Sequence, residues 1–226
     1  MYCRKRVPED QKVDTATLNL FARVSAWGAR AAAGRVTRVL GKRLRPGMRL
    51  LDVGTGPGTI PIQLKKRVPD LSITGLDIDS AMLTRAAAYR RRFGISFDLV
   101  TGDGTCLPFA DSSFDVVSMF FALHHLDEPA AFLAEAGRVL VKGGHLLVID
   151  FRRDMPGPLF AAMDTAWQAA FMLTRGRHGF RDSVRSAWTP VELAAILNGR
   201  EEDNRFMVAD NPMEVWIVTR PEESPA

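Results

Sequence analysis

The chain has 226 residues, 46% of them hydrophobic and 25% charged, with a formal net charge of +4. Those proportions are ordinary for a globular protein, so disorder is not the expectation, and they suit one domain with a sizeable core. No apolar run nears the roughly 20 residues that span a bilayer, and the two isolated cysteines, Cys3 and Cys106, make neither a disulfide framework nor a metal site.

The N-terminal part is basic. It carries Arg23, Arg30, Arg35, Arg38, Lys42, Arg43 and Arg45. Arginines spaced along helices form a solvated face, and no aromatic-rich RNA-binding motif accompanies them, so nucleic acid is not the expected partner. The first eight residues are basic but lack an apolar stretch, so no secretory signal is expected, and the two isolated cysteines fit a cytoplasmic setting. Asp14 or Thr15 caps a first predicted helix with Leu18, Phe21, Ala22 and Ser25 on one face. A second helix runs from about Ala29 to Leu40 and is broken at Arg45-Pro46-Gly47. Together these make an N-terminal helical cap over residues 14–44.

From Met48 the rhythm changes. Predicted strands at Arg49 to Val53, Leu71 to Leu76, Ile95 to Val100, Asp115 to Phe120 and His145 to Phe151 alternate with helices. Those helices run through Ile60 to Leu64, Ser80 to Arg92 and Pro129 to Leu140, the last closed by Gly143-Gly144. Such alternation predicts βαβ units in a parallel, doubly wound sheet with right-handed crossovers over residues 48–151. Beyond Arg153 a helix is predicted over Pro158 to Thr174. Another opens with Thr189 as N-cap and Pro190 at its first position. Residues 154–200 thus read as a helical insertion. The strands Arg205 to Ala209 and Met213 to Thr219, joined at Asp210-Asn211-Pro212, predict an antiparallel hairpin over 204–220.

Three strand ends carry polar chemistry. Leu51-Asp52-Val53-Gly54-Thr55-Gly56-Pro57-Gly58 follows the first strand; glycines there bend the backbone and let a ligand approach it. Free amides of the following helix attract an anionic group such as a carboxylate. The G-x-G-x-G spacing differs from the G-x-G-x-x-G of NAD and FAD sites, which disfavours a nicotinamide oxidoreductase. Gly75-Leu76-Asp77-Ile78-Asp79 closes the second strand. Asp77 sits where a ribose diol lies in such sheets, Ile78 can pack on a purine face, and Asp79 with Ser80 caps the next helix. Gly102-Asp103-Gly104 follows the third strand; Asp103 either accepts from the adenine amine or serves as a turn residue.

The stretch from about Arg49 to Phe151 resembles the core of class I S-adenosylmethionine-dependent methyltransferases. Asp52 to Gly58 is similar to their first motif and Asp77 to their ribose-binding acid. Asp103-Gly104 resembles their adenine-side loop, and Arg138-Val139-Leu140-Val141-Lys142-Gly143-Gly144 the turn before their fifth strand. The resemblance implies a Rossmann-like sheet of seven strands ending in an antiparallel hairpin. It also implies S-adenosyl-L-methionine as cofactor, with contacts from Asp52, Gly54, Thr55, Gly56, Gly58, Asp77, Ile78, Asp103, Gly104 and Phe120. By texture the nearest subgroup is the small-molecule one that includes the quinone-biosynthesis C-methyltransferases. That subgroup carries a Tyr-Asp pair in its N-terminal helix; here Phe21 is kept, but Gly28-Ala29 stand where the pair would fall.

Methyl transfer from a sulfonium is an in-line displacement whose donor is already activated, so positioning supplies much of the acceleration. A base is needed only when the acceptor loses a proton. His124, in Phe120-Phe121-Ala122-Leu123-His124-His125-Leu126 after the fourth strand, is the candidate; the alternative is that the paired histidines pack the loop. Arg152 and Arg153 either face an anionic acceptor or are solvated. Trp167, Phe171, Phe180 and Trp188 either line an apolar pocket or fill the helical layer. The expected activity is methylation of a small aromatic or lipophilic acceptor. The alternatives are a macromolecular acceptor such as RNA, and a non-catalytic cofactor-binding module.

Overall fold

The computed structural model describes residues 29–41, 44–172, 179–199 and 205–220. The predicted helix from Asp14, and with it the Gly28 departure, lies outside the described residues. Seven strands form one sheet: β1 Arg49–Val53, β2 Ser72–Asp77, β3 Asp98–Thr101, β4 Phe114–Phe120, β5 Leu140–Phe151, β6 Phe206–Asp210 and β7 Glu214–Thr219. Their order is β3-β2-β1-β4-β5-β7-β6. The first five are parallel, while β7 runs antiparallel to both β5 and β6. This is the doubly wound sheet with a terminal hairpin that the alternation and the Asp210-Asn211-Pro212 turn imply. The strand order reverses between β1 and β4, so the loops at their carboxyl ends splay to opposite faces and leave a crevice.

The helices are α1 (29–40), α2 Thr59–Arg67, α3 Ser80–Arg92, α4 Pro129–Val139, α5 Gly157–Ala170, α6 Gly179–Ser186 and α7 Pro190–Asn198. Alternating side chains of each strand feed two cores. On one face Leu50, Val116, Phe120, Leu147 and Ile149 meet Ala32, Ala33 and Val36 of α1 and Ile62 and Leu64 of α2. On the other, Leu51, Val53, Val117, Met119 and Val148 meet Phe132, Leu133 and Ala136 of α4. That second core also takes Leu193 and Leu197 of α7. So α7, which the sequence grouped with the 154–200 insertion, belongs to the main helical layer.

Local chemistry fixes the ends. Asp79 caps α3 by accepting from the Ala81 amide at 2.8 Å, and Arg90, Arg91 and Arg92 close it against the negative end of its dipole. Thr189 and Glu192 form a reciprocal capping box on α7, with Pro190 at N1. One boundary differs from the sequence expectation. Gly143-Gly144 does not separate helix from strand: β5 begins at Leu140 and shifts register between the Phe114–Leu140 and Val116–His145 pairings. Gly143, at φ 76°, absorbs the irregularity.

Candidate cofactor crevice and active site

β1 delivers its polar end at the reversal point. Gly54 and Gly56 adopt φ of 67° and 54°, a region costly for any side chain. A Cβ on Gly54 would lie 2.6 Å from the Ala122 Cβ, so this glycine also lets the turn close on the segment after β4. Around Gly56 a Cβ would meet nothing within 4 Å, so the backbone there faces open space that a ligand can approach. Gly58 leads into α2, whose first turn has no side-chain cap and no acidic residue. Its amides therefore present an unneutralised positive end.

Asp52 and Thr55 brace this turn from within. Asp52 is 2% exposed and accepts from the hydroxyls of Ser118, its cross-strand neighbour on β4, and Thr55, each at 2.8 Å. Burial pushes its carboxyl up to about 6, against the lowering effect of those two hydrogen bonds. Thr55 in turn sits on Gly75, where a Cβ would clash at 2.8 Å with its Oγ1. Neither the hydroxyl pair nor Gly75's role was visible as a motif; the cross-strand position of Ser118 is the only sequence trace.

Asp77 ends β2 beside the turn. Its carboxylate accepts from the Gly56 amide at 2.7 Å and the Asp79 amide at 2.9 Å. Burial raises its pKa, and these backbone donors oppose the shift. Ile78 next to it is 67% exposed, an apolar surface held open at the crevice. Asp103 follows β3 and is exposed; its Oδ1 accepts from both the amide and hydroxyl of Thr105 at 2.8 Å, which is the turn role. Gly104 packs on Val53, since a Cβ there would come within 2.9 Å of Cγ1. The loop beyond is pinned by Arg138, which donates to Asp111, to Glu135 and to the carbonyls of Leu107 and Phe109. Phe120 is buried in the α1–α2 core, so its side chain serves packing.

His124 lies in a single 3-10 turn, Leu123–His125, two residues past Ala122. Its ring is 3% exposed, and Nδ1 stands 2.8 Å from Oδ1 of Asp150, the residue that precedes the end of β5 and is itself 2% exposed. The His124 amide donates to Oδ2 of the same carboxylate at 2.7 Å. Sequence reasoning found His124 and missed Asp150. The available signal was an acid inside the otherwise apolar run Leu146 to Phe151. Beyond it, rings pack in series: His124 on Phe151 at 6.2 Å, Phe151 on Phe180 at 5.3 Å, and Phe180 on Phe160 and Trp167 at 6.0 and 6.3 Å. Met155 and Met163 complete this separate apolar cluster.

The two arginines after β5 are structural. Arg152 is paired with Asp154 and Asp210 and donates to the Asn211 carbonyl. Arg153 is buried and donates to Glu192 and the Ala187 carbonyl. A groove of about 560 Å³ between α1 and β7, lined by Arg30, Arg35, Arg38, Glu214 and Trp216 among others, holds none of the predicted site residues. Among the described residues, no group of three His, Cys, Asp or Glu side chains could hold a metal ion. No described helix is long and apolar enough to cross a membrane.

The strand order and the glycine turn at the reversal point make a Rossmann-like, doubly wound core, with the carboxylate that ends β2 held beside that turn. Residues 51–148 match the family model described as a methyltransferase domain. The chain is 41% identical over 109 residues to the ubiquinone/menaquinone biosynthesis C-methyltransferase of Ruegeria sp. (strain TM1040), covering 47% of this chain and 44% of that one. It is 42% identical over 113 residues to the demethylmenaquinone methyltransferase of Renibacterium salmoninarum, covering 50% and 45%. The matched stretch is thus under half of either relative. Among solved structures, a SAM-dependent methyltransferase from Aquifex aeolicus superposes with TM-score 0.60 at 21% identity, over 83% of this chain and 88% of that one. The plantazolicin methyltransferase BpumL in complex with SAH gives 0.68 at 14%, over 90% and 88%. At those identities the likeness is one of fold.

Proposed function

We propose that the protein transfers a methyl group from S-adenosyl-L-methionine to a small, lipophilic aromatic acceptor of the quinol type, in the cytoplasm. The observation that carries the reading is spatial continuity: the glycine turn closes on Ala122, two residues before His124, and the His124 ring packs near Phe151, which joins the aromatic and methionine cluster of α5 and α6. The polar turn and an apolar cluster of rings are therefore joined by one short segment. The similarity to quinone-biosynthesis methyltransferases supports the acceptor class.

The residues present suit the cofactor. Asp77 keeps carboxylate lone pairs for a ribose diol, Ile78 offers an apolar face for the purine, and Asp103 has an Oδ2 for which the described residues supply no partner. Gly56 gives open backbone, and the α2 amides suit the amino-acid carboxylate. The bound sulfonium supplies an activated methyl; the chain's part is to orient it, exclude water and manage the acceptor's proton. His124 is the proton acceptor in this reading.

The test is titration calorimetry with S-adenosylmethionine and its demethylated product, followed by methyl-transfer assays on short-chain demethylmenaquinols, other hydroquinones and simple phenols. Saturable binding with transfer favouring the quinols is the expected result. Binding of neither nucleoside would overturn the assignment; transfer confined to phenols or to RNA would overturn the acceptor class alone.

A further inference from the structure

We infer that the groove between α1 and β7 is a second binding site, built for an organic phosphate whose anion is carried on an apolar or aromatic body. The groove offers about 560 Å³, the scale of a small-molecule site and far more than a bare ion fills. Its floor is already satisfied. Glu214, buried at the start of β7, accepts on one oxygen from Arg35, from the side-chain amide of Asn211 at 3.2 Å and from the Trp216 indole at 3.2 Å. The one acid in the lining is thus neutralised within the protein. Trp216, its N–H spent on Glu214, offers the groove only ring.

The rim is different. Arg30 and Arg38 line the groove from α1, both exposed, and neither guanidinium meets an acid or another acceptor among the described residues. Eight residues apart on a helix, they stand about 12 Å apart along its axis and on one face, a span that two long side chains can close on a single anion. Arg67 at the end of α2 reaches the Arg30 carbonyl at 3.1 Å and adds to the positive field at that end. The acids nearest along the chain do not offset it, since Asp210 and Asp154 are both taken by Arg152. A phosphomonoester carries nearly two negative charges, and its oxygens match the guanidinium fork.

Gly34 lies midway between the two arginines, four residues from each. A glycine inside a helix weakens it relative to alanine, and packing does not require this one. A Cβ there would meet only the end of Arg67, at 3.8 Å, an ordinary contact. The missing side chain keeps the space between the unpaired cations clear. A merely solvated arginine face needs no such gap. Glu214 pairs with Phe151 at the end of β5, so the groove opens at the carboxyl edge of the sheet, on the α1 face. β4 and β5 separate β7 from the glycine turn of β1, so an occupant of the groove leaves that turn free.

The experiment uses the full chain and three probes: inorganic phosphate, phenyl phosphate, and phosphatidylcholine vesicles with or without phosphatidate. Calorimetry reads the soluble probes and sedimentation the vesicles. Phenyl phosphate should bind saturably and more tightly than inorganic phosphate, because its ring meets Trp216. Binding in solution identifies a soluble ligand; binding confined to phosphatidate vesicles identifies a lipid headgroup. In either arm, Arg30→Gln combined with Arg38→Gln should weaken binding at least about tenfold, through loss of charge-assisted hydrogen bonds. Gly34→Leu, which fills the gap and alters no charge, should do the same while the melting transition is retained. Arg91→Gln with Arg92→Gln, at the exposed end of α3, removes equal charge elsewhere and should change affinity less than twofold. S-adenosylhomocysteine should bind equally well with the groove filled. Binding of none of the probes, equal affinity for the two phosphates in solution, an equal loss in the α3 control, a folded Gly34→Leu variant that binds as wild type does, or mutual exclusion with S-adenosylhomocysteine would each overturn the inference.

Discussion

The two walls of the crevice are built on different principles. On the β1–β2 side, the groups that line the crevice are held by backbone: Asp77 is fixed by the Gly56 and Asp79 amides and the turn by glycines at positive φ, with the Asp52, Thr55 and Ser118 side chains bracing it from beneath. On the β4–β5 side, side chain holds side chain: Asp150 grips His124, and rings from α5 and α6 stack outward from Phe151. A backbone-built wall presents the same groups whatever decorates the surface, which under the proposed function would suit a constant cofactor. A side-chain-built wall changes with each substitution, which under the proposed function would let the acceptor side be altered without disturbing the cofactor side.

The strongest way to break that contrast is to put a side chain where the backbone wall needs none. Gly54→Ala faces both the left-handed φ and the 2.6 Å approach to Ala122. Strain of about 1–2 kcal/mol and overpacking of about 1–3 kcal/mol should together cost about 2–5 kcal/mol in a denaturant titration. Adding Ala122→Gly should return the overpacking share and leave the strain. Full recovery in the double variant would show that φ at this position is of no consequence.

Asp52 sharpens the contrast through pH. Its carboxyl, near 3.8 in the unfolded chain and about 6 when folded, holds its proton more tightly in the native state. Stability should therefore fall as pH rises from about 4 to about 6 and level off above, by about 3 kcal/mol for a shift of this size. Asp52→Asn should flatten that slope, because the Ser118 and Thr55 hydroxyls can reorient toward an amide. An unchanged slope in the variant would mean that another group titrates there.

For Asp77→Ala, loss of hydrogen bonds to a charged acceptor should weaken S-adenosylmethionine by about 1–3 kcal/mol in calorimetry. A small loss of stability should accompany it, since the Gly56 and Asp79 amides lose their acceptor. Unaltered affinity would remove this carboxylate from the ligand.

The same division explains what could be read from the chain alone. The sheet, the hairpin, the Asp79 cap and the Thr189-Pro190 start of α7 were legible because each is written within a few consecutive residues. So were the glycine turn and the acids at successive strand ends, of which the structure brings Asp77 to the turn and leaves Asp103 in a turn of its own. Contacts that join distant segments leave no local pattern. Asp150 meets His124 across 26 residues, Arg181 meets Asp164 across 17, and Arg153 meets Glu192 across 39. β5 was read as starting at His145 because Gly143-Gly144 looks like a helix stop, yet in the sheet that pair is absorbed as an irregularity. The burial of α7 under the sheet likewise depends on where the chain returns.

The gentlest perturbation tests the acceptor wall alone. Phe180 meets Phe151 edge-on and stacks near Phe160 and Trp167, so Phe180→Leu removes three ring contacts while keeping an apolar side chain of similar reach. Aromatic pairs add about 0.5–1.5 kcal/mol beyond their buried area, and the variant should lose about 1 kcal/mol of stability. Because this ring belongs to the cluster of α5, α6 and Phe151 and not to the glycine turn, the affinity for S-adenosylhomocysteine should stay within twofold of wild type. The KM for an aromatic acceptor should rise several-fold. A variant that loses the nucleoside as readily as the acceptor would show that the two walls are mechanically one, because a rigid core shared between them would be carrying the strain across.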